Sequence, residues 1–168
     1  KNDIKFKNAY FNRFKNTWHH GDYAEIKMTG GFVIHGRSDT TLNPGGVRMG
    51  TAEIYSEVEK FQEINESIVV GQAWKNDIRI VLFIVMNKKY SFTEKLSLKL
   101  KLKIRKNTSP RHVPTKIIVV NDIPRTKSGK IVELAVKNII DGNEVKNKEA
   151  LANPEVLKFF KNLKELEY

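Results

Sequence analysis

Apolar residues recur at helical spacing in residues 51–61. They fall at Ile54, Val58 and Phe61, which share one face of a helix and leave polar residues on the other. Thr51 stands immediately ahead of this run, where a hydroxyl side chain often caps the first turn of a helix. The pattern therefore predicts an amphipathic helix over this segment with Thr51 as its cap.

Extended patterns flank this helix on both sides. Residues 67–74 and 78–86 are β-branched apolar runs of strand length, separated by a polar turn, and they predict a hairpin. Residues 115–122 predict one further strand. Nearer the N-terminus, residues 23–27 and 32–35 predict a second hairpin, because the pair of glycines between them suits a tight turn.

The segment from Ser91 to Pro110 carries two competing patterns. Every second residue from Leu96 to Ile104 is apolar, as in a half-buried strand, but the same residues also form ladders at a spacing of four. Leucine and lysine are strong helix formers, and Ser91 with Glu94 fits a capping box. We predict a helix whose leucines lie side by side on one wide apolar stripe.

Three more helices are predicted from aromatic spacing and from capping residues. The aromatic residues in 9–18 recur near helical spacing and should anchor a short helix to a core. Ser128 is predicted to cap a helix over residues 129–142. Asn153 and Pro154 are predicted to open the last helix.

The order of these elements predicts an α+β fold. We expect a small mixed or antiparallel sheet flanked by helices, preceded by the short N-terminal hairpin. Residues 40–50 hold four turn-forming residues in a row, which predicts a loop or hinge between the hairpin and the sheet.

Composition narrows the possible chemistry. The chain has 168 residues, 40% of them hydrophobic, and contains no cysteine, which excludes disulfides, thiolate catalysis and thiolate metal sites. No apolar segment approaches the roughly 20 residues that a transmembrane helix needs. The sequence therefore predicts a cytoplasmic protein. The four histidines, His19, His20, His35 and His112, lack metal-ligand spacing, and they are interpreted as packing or surface residues.

The net charge of +11 predicts attraction to anions. Nucleic acid, an anionic membrane and phosphorylated small molecules are all compatible with it, and so is a solvated lysine-rich surface. Residues 99–106, with the sequence KLKLKIRK, suggest an alternative to small-molecule binding, namely a basic module that binds nucleic acid. No nucleic-acid motif supports that alternative, and few aromatic residues near this stretch could stack on bases.

Residues 123–133, with the sequence IPRTKSGKIVE, concentrate three cations ahead of a predicted helix. Ser128 and the following glycine would expose backbone N–H groups at the helix start, and Lys130 would add a full positive charge beside them. A phosphate-binding P-loop is excluded, because Pro124 and Ile131 occupy positions that it requires to be glycine and serine or threonine. The segment predicts an anion site, with a capped surface helix and a solvated lysine as the alternative.

Three segments in order resemble the signatures of the adenylate-forming superfamily, which comprises acyl-CoA synthetases, luciferases and adenylation domains. They are WHHGDYAEI at 18–26, GRSDTTLNPGGVRMGTAEI at 36–54 and IPRTKSGKIVE at 123–133. Together with the first two segments, residues 139–160 most resemble the members that act on acetoacetate. The chain departs from many relatives at His20, where a threonine is usual, and at Thr40, where a second acidic residue is usual.

The resemblance implies a nucleotide site and a catalytic lysine. Asp22 and Arg37 would contact the ribose of the adenylate, since a carboxylate can accept two hydrogen bonds from the hydroxyls. Arg48 would contact nucleotide phosphate. Lys130 would approach the carboxylate substrate and the α-phosphate of ATP, where its ammonium group would stabilise the charge that develops as the acyl-adenylate forms.

A coenzyme A site and a hinge are also implied. Gly46 would let the pantetheine arm pass close to the backbone, and Arg105 falls where relatives contact coenzyme A. Asp39 would be the hinge between residues 1–38, the end of a large adenylate-binding domain, and residues 39–168, a C-terminal lid.

The resemblance finally implies an activity for the parent protein. It would be an ATP-dependent acid–thiol ligase that uses ATP with Mg²⁺ and coenzyme A, with acetoacetate as the expected acid and another short-chain acid as the alternative. Its partners would be these small molecules and the large N-terminal domain of the same chain. The resemblance implies no metal site of its own, no membrane partner and no nucleic acid. The isolated fragment would be inactive, because the phosphate loop and acyl pocket belong to the large domain.

Overall fold

The computed structural model describes residues 3–145 and 147–167. Its helices and strands are α1 (Asp3–Tyr10), β1 (Asp22–Ile26), β2 (Phe32–Arg37), α2 (Ala52–Val58), β3 (Ile64–Trp74), β4 (Asp77–Met86), α3 (Glu94–Asn107), β5 (Lys116–Val119) and α4 (Glu133–Ile140). Short 3-10 helices occupy Pro44–Gly46, Pro110–His112, Lys148–Ala150, Pro154–Phe160 and Lys164–Leu166. None of the helices in the described ranges is both long and apolar enough to cross a bilayer.

Two small sheets confirm the predicted α+β class. Strands β1 and β2 form one sheet, an antiparallel hairpin. In the other sheet, β3 and β4 form a longer antiparallel hairpin, and β5 pairs with β4 in parallel. The second sheet is therefore mixed, as expected. Both predicted hairpins are confirmed, and their strands differ from the predicted bounds by a few residues at most.

Helices and C-terminal turns cover the two faces of the mixed sheet, which explains why β3 and β4 are almost continuously apolar. On one face, residues such as Leu82 and Ile84 pack against α2 and α3. On the other face, Phe83 meets the ring of Phe160 edge-on, with 5.0 Å between centroids. Successive β4 side chains alternate between these two clusters, so the central strand connects the whole core.

Helix α3 confirms the helical prediction and corrects its details. The cap is Thr93, whose hydroxyl accepts a hydrogen bond from the N–H of Leu96 at 3.1 Å, and not Ser91. Of the two series of apolar residues spaced by four, Leu96, Leu100 and Ile104 are buried. The other series, Leu98 and Leu102, faces solvent. The predicted single wide stripe is wrong, because the sheet and α2 cover only a narrow strip of this helix.

Helix α4 begins later than predicted. It starts at Glu133, and Ser128 does not cap it. The residues before it form a tight turn, in which the N–H of Thr126 donates to the carbonyl of Lys130 at 2.8 Å and the N–H of Lys130 donates to the Thr126 hydroxyl at 3.1 Å. Because this side-chain bond competes with helical bonding, Lys130 lies in a turn and not at a helix N-terminus.

The remaining predicted caps and the N-terminal helix also need correction. Helix α1 ends at Tyr10, so the helix predicted over 9–18 is misplaced; its aromatic residues pack on one another at the surface, as when Trp18 stacks on Tyr10 at 4.3 Å. The hydroxyl of Thr51 makes no capping bond and lies against Gly36 of β2. Asn153 makes no capping bond either, because its side chain binds neighbouring loops.

Candidate functional site

Lys130 lies at the exposed end of a turn that we call the lysine turn, residues 125–131. An isolated β-bridge pairs Arg125 with Ile131 at its base, and Gly129 has a φ of 83°, which glycine adopts without strain. The predicted anion site at a helix start is therefore wrong in its geometry. The turn instead presents the Lys130 side chain to solvent beyond a closed backbone loop.

Arg125 anchors one side of the lysine turn. Its guanidinium forms an ion pair with Glu66 of β3 and donates to the carbonyl of Ile123 at 2.9 Å. Its backbone N–H donates to the Asn153 side chain at 2.9 Å. The first cation of the IPRTKSGKIVE stretch is thus neutralised within the chain, whereas Lys127 and Lys130 remain exposed to solvent.

Tyr55 and Glu133 anchor the other side. The Tyr55 hydroxyl donates to the carboxylate of Glu133 at 2.5 Å and accepts the N–H of Val69 at 3.0 Å. Burial of the hydroxyl, together with the nearby Glu133 charge, raises the pKa of Tyr55 well above its usual value. The phenol therefore stays protonated and ties helix α4, which follows the lysine turn, to helix α2 and strand β3.

A cavity of about 440 Å³ lies between these two anchors. Its apolar wall includes Val58, Ile64 and Ile131, and its polar wall includes Glu66 and Glu133. The lysine turn borders this cavity through Gly129 and Ile131, so it is supported from β3 and α2 and not only by its own hydrogen bonds.

Tyr55→Phe should lower the free energy of unfolding by about 1–3 kcal/mol, because it leaves the buried N–H of Val69 without an acceptor. The pKa of Tyr55 is raised on folding, so this contribution is present below the ordinary pKa of tyrosine and is lost at more alkaline pH. Urea unfolding at neutral pH measures the change. Tyr90→Phe is the matched control, since Tyr90 is exposed and should change stability little; equal midpoints for the two variants would contradict the anchoring role.

Asp22, Arg37 and Asp39 lie together at the end of the N-terminal hairpin. Asp22 and Arg37 are directly opposite each other in the β1–β2 register. Arg37 binds Asp39 through two bonds, from Nε at 3.2 Å and from Nη2 at 3.0 Å, and this partner raises the pKa of the Arg37 guanidinium. Asp22 contacts the ring of His20 at 2.6 Å. This end of the hairpin therefore places the Asp22 carboxylate beside Arg37, whose guanidinium is paired with Asp39 at the predicted hinge.

The loop that contains Gly46 is held by Asp77, the first residue of β4. The N–H of Gly45 donates to both oxygens of Asp77, at 2.9 and 3.0 Å, and these backbone bonds lower the pKa of Asp77. Gly46 has a φ of 77° and open space around the position of a Cβ, so its backbone conformation, not crowding, favours glycine here. Arg48 follows in the same loop and is exposed. Arg105 lies apart, exposed on the last turn of α3.

Sequence reasoning missed a carboxylate that joins two histidines. The ring of His112 contacts one oxygen of Glu53, and the ring of His35 lies 3.8 Å from the other. Both histidine side chains are mostly buried, at 12% and 16% exposure. His112 also bonds the Ser109 hydroxyl at 2.8 Å. The prediction treated these histidines as packing or surface residues, and no local pattern could have paired residues so far apart in sequence.

This cluster connects the two sides of the predicted hinge. His35 precedes Asp39, whereas Glu53 and His112 follow it. Close backbone packing accompanies the cluster, since a Cβ on Gly50 would lie 2.1 Å from the carbonyl oxygen of His35. The hairpin is therefore packed tightly against the start of α2 in this arrangement.

Comparisons with known proteins identify a matching family model and similar chains. A family model described as the AMP-binding enzyme C-terminal domain matches residues 53–130. The acetoacetyl-coenzyme A synthetase of Rhizobium meliloti (strain 1021) is 59% identical over 162 residues, which cover 96% of this chain and 25% of that protein. This chain thus spans about a quarter of the length of such relatives.

Solved structures give the same result. The acetoacetyl-CoA synthetase from Streptomyces lividans superposes with a TM-score of 0.85 at 37% identity, covering 94% of this chain and 24% of that one. ATP-bound MatB from Rhodopseudomonas palustris superposes with a TM-score of 0.67 over 82% of this chain and 26% of its own, and at 22% identity this similarity concerns the fold. The chain therefore contains a segment, residues 53–130, that matches the AMP-binding enzyme C-terminal domain, and over nearly its whole length it is similar to one part of acetoacetyl-CoA synthetases.

Proposed function

We propose that this chain is the C-terminal part of an ATP-dependent acid–thiol ligase that forms acetoacetyl-CoA from acetoacetate through an acyl-adenylate. The observation that carries the proposal is the 59% identity to an acetoacetyl-coenzyme A synthetase over 96% of the chain. That similarity spans the three motif segments. Within them, Lys130 is exposed and Arg37 is paired with Asp39.

Lys130 is proposed as the catalytic residue of the first half-reaction. Its ammonium group would stabilise the negative charge that develops between the carboxylate of the acid and the α-phosphate of ATP. Two features support this role. The side chain is exposed at the end of the lysine turn, and the anchors at Arg125 and Glu133 hold the backbone of that turn in one conformation.

Asp22, Arg37 and Arg48 are proposed as nucleotide-binding residues. A carboxylate facing an arginine across two paired strands suits a ribose, because the carboxylate accepts from the hydroxyls while the guanidinium donates to them. Arg48 is exposed on the loop that follows and would meet a phosphate. Mg²⁺ is proposed to arrive with the triphosphate of ATP and to neutralise part of its charge.

Residues 1–38 and 39–168 are proposed to belong to different domains, the first to the large adenylate-binding domain and the second to a lid. Rotation about Asp39 would withdraw Lys130 and bring Gly46 and Arg105 towards coenzyme A for the second half-reaction. Such a rotation would have to break the contacts of His35 with Glu53 and Gly50, so these contacts belong to one rotational state.

The large N-terminal domain of the same protein is the partner that this proposal requires, with acetoacetate, ATP and coenzyme A as small-molecule substrates and the cytoplasm as the location. The exposed apolar side chains of the hairpin support such a partner. Ile26, Met28, Phe32 and Ile34 are all more than half exposed. Contiguous apolar surface of this kind usually marks a contact with another protein surface.

A substrate panel on the full-length protein tests the proposal. Pyrophosphate exchange and CoA-ester formation would be measured with acetoacetate, acetate, propionate and butyrate. We expect acetoacetate to give the highest kcat/KM; a preference for another short acid would reassign the substrate but keep the ligase. Absence of exchange with every acid, combined with salt-sensitive binding of a DNA or RNA duplex, would instead support the nucleic-acid-binding alternative.

A further inference from the structure

The outward face of α3 combines exposed leucines with unpaired cations. Leu98 and Leu102 are 60% and 65% exposed and lie one helical turn apart, whereas Leu96, Leu100 and Ile104 on the opposite side are buried. The outer leucines contribute nothing to the core, and their positions in the middle of a regular helix keep them projecting into solvent.

Positive charge is concentrated around these leucines. Residues 88–106 contain eight basic residues and one acidic residue, a net charge of +7 out of +11 for the whole chain. Lys99 has a carboxylate partner, Glu63 at 3.5 Å. Within the described part of the chain, no ion pair is formed by the lysines that flank the leucines more directly, which are Lys95, Lys101 and Lys106.

This surface fits the chemistry of a lipid–water interface. A helix with apolar side chains bordered by lysine and arginine can lie in the plane of a bilayer, where the apolar groups enter the headgroup region. The long basic side chains then reach back to lipid phosphates while their methylene groups stay in apolar surroundings. We propose that the outer face of α3 binds reversibly to the surface of anionic phospholipid membranes.

Nucleic acid fits the same face less well. It would neutralise the cations but leave Leu98 and Leu102 in water, and it gains little from aliphatic side chains. Tyr90 and Phe92 precede the helix, and Phe92 is partly buried against the core. Phe61, whose ring lies 5.2 Å from the Lys99 ammonium, is itself buried. The outer face of α3 therefore lacks the aromatic platform on which single-stranded bases stack.

Co-sedimentation of the full-length protein with phospholipid vesicles tests the proposal. We expect binding to vesicles of phosphatidylcholine mixed with phosphatidylglycerol, at least about tenfold weaker binding to phosphatidylcholine alone, and weakening as salt rises. The double variant Leu98→Ser/Leu102→Ser should lose about tenfold or more in affinity for the anionic vesicles. Replacing Lys95, Lys101 and Lys106 by glutamine should produce a loss of similar size.

The matched control is Leu134→Ser, which makes the same chemical change at a residue that is 40% exposed on α4. It should bind anionic vesicles as the unmodified chain does, and circular dichroism should show that all variants keep their helices. Unchanged vesicle binding by the double leucine variant would overturn the proposal. So would binding to an RNA or DNA duplex that exceeds vesicle binding and is insensitive to the leucine substitutions, which would assign the cations to nucleic acid.

Discussion

Lys130→Ala in the full-length protein should reduce the rate of the proposed adenylate formation by about 10²–10³-fold, the usual cost of removing one charge-stabilising donor from a transition state. Thioester formation from preformed acetoacetyl-adenylate should stay close to normal, because the proposed rotation withdraws the lysine before coenzyme A reacts. Pyrophosphate exchange measures the first half-reaction, and transfer from synthetic adenylate to coenzyme A measures the second.

Lys127→Ala provides the control for this experiment. Lys127 is a second exposed lysine in the lysine turn, so its loss changes the charge of the turn equally but removes no proposed catalytic group. Neither substitution should unfold the protein, since Lys127 and Lys130 take part in the hydrogen bonds of the turn through their backbone groups and not through their side chains. Normal pyrophosphate exchange in Lys130→Ala, or equal losses in both variants, would refute the catalytic assignment.

The elements that could be predicted from sequence are those whose local signal and packing agree. Strands β3 and β4 are predicted within a few residues, because a strand covered on both faces must be apolar along its whole length. Helix α3 is predicted despite its alternating leucines, since helix propensity and the spacing of Leu96, Leu100 and Ile104 point the same way. Its cap is missed by two residues, because serine and threonine near a helix start are equally good candidates by pattern alone.

The start of α4 could not be predicted for a different reason. Ser128 and Gly129 look like a helix start, but the Thr126 hydroxyl captures the N–H of Lys130 and closes a turn instead. The residues proposed for nucleotide binding came from the family resemblance, and local spacing alone gave no basis for them. The carboxylate of Glu53 between His35 and His112 depends on the tertiary fold, and nothing in the neighbouring sequence indicates it.

Gly50→Ala should lower the free energy of unfolding of the chain by about 1–3 kcal/mol and should loosen the N-terminal hairpin. The added Cβ would lie 2.1 Å from the carbonyl oxygen and 2.7 Å from the Cβ of His35, and real atoms do not approach so closely. The strand that carries His35 must therefore move away from the start of α2. That movement would also separate His35 from Glu53, so the hairpin would lose both its backbone packing and its polar contact.

Thermal unfolding and hydrogen exchange of the hairpin amides measure these effects. Gly31→Ala is the matched control, because its nearest neighbour would be the Thr29 hydroxyl at 3.9 Å and its backbone does not need glycine. It should leave the stability unchanged or raise it by up to about 1 kcal/mol. Faster exchange in β2 for Gly50→Ala alone is the expected result, since only that substitution acts across the proposed hinge. If the two variants unfold and exchange alike, the hairpin is not packed against α2 in solution. The contact between His35 and Glu53 then cannot mark a rotational state of the proposed lid.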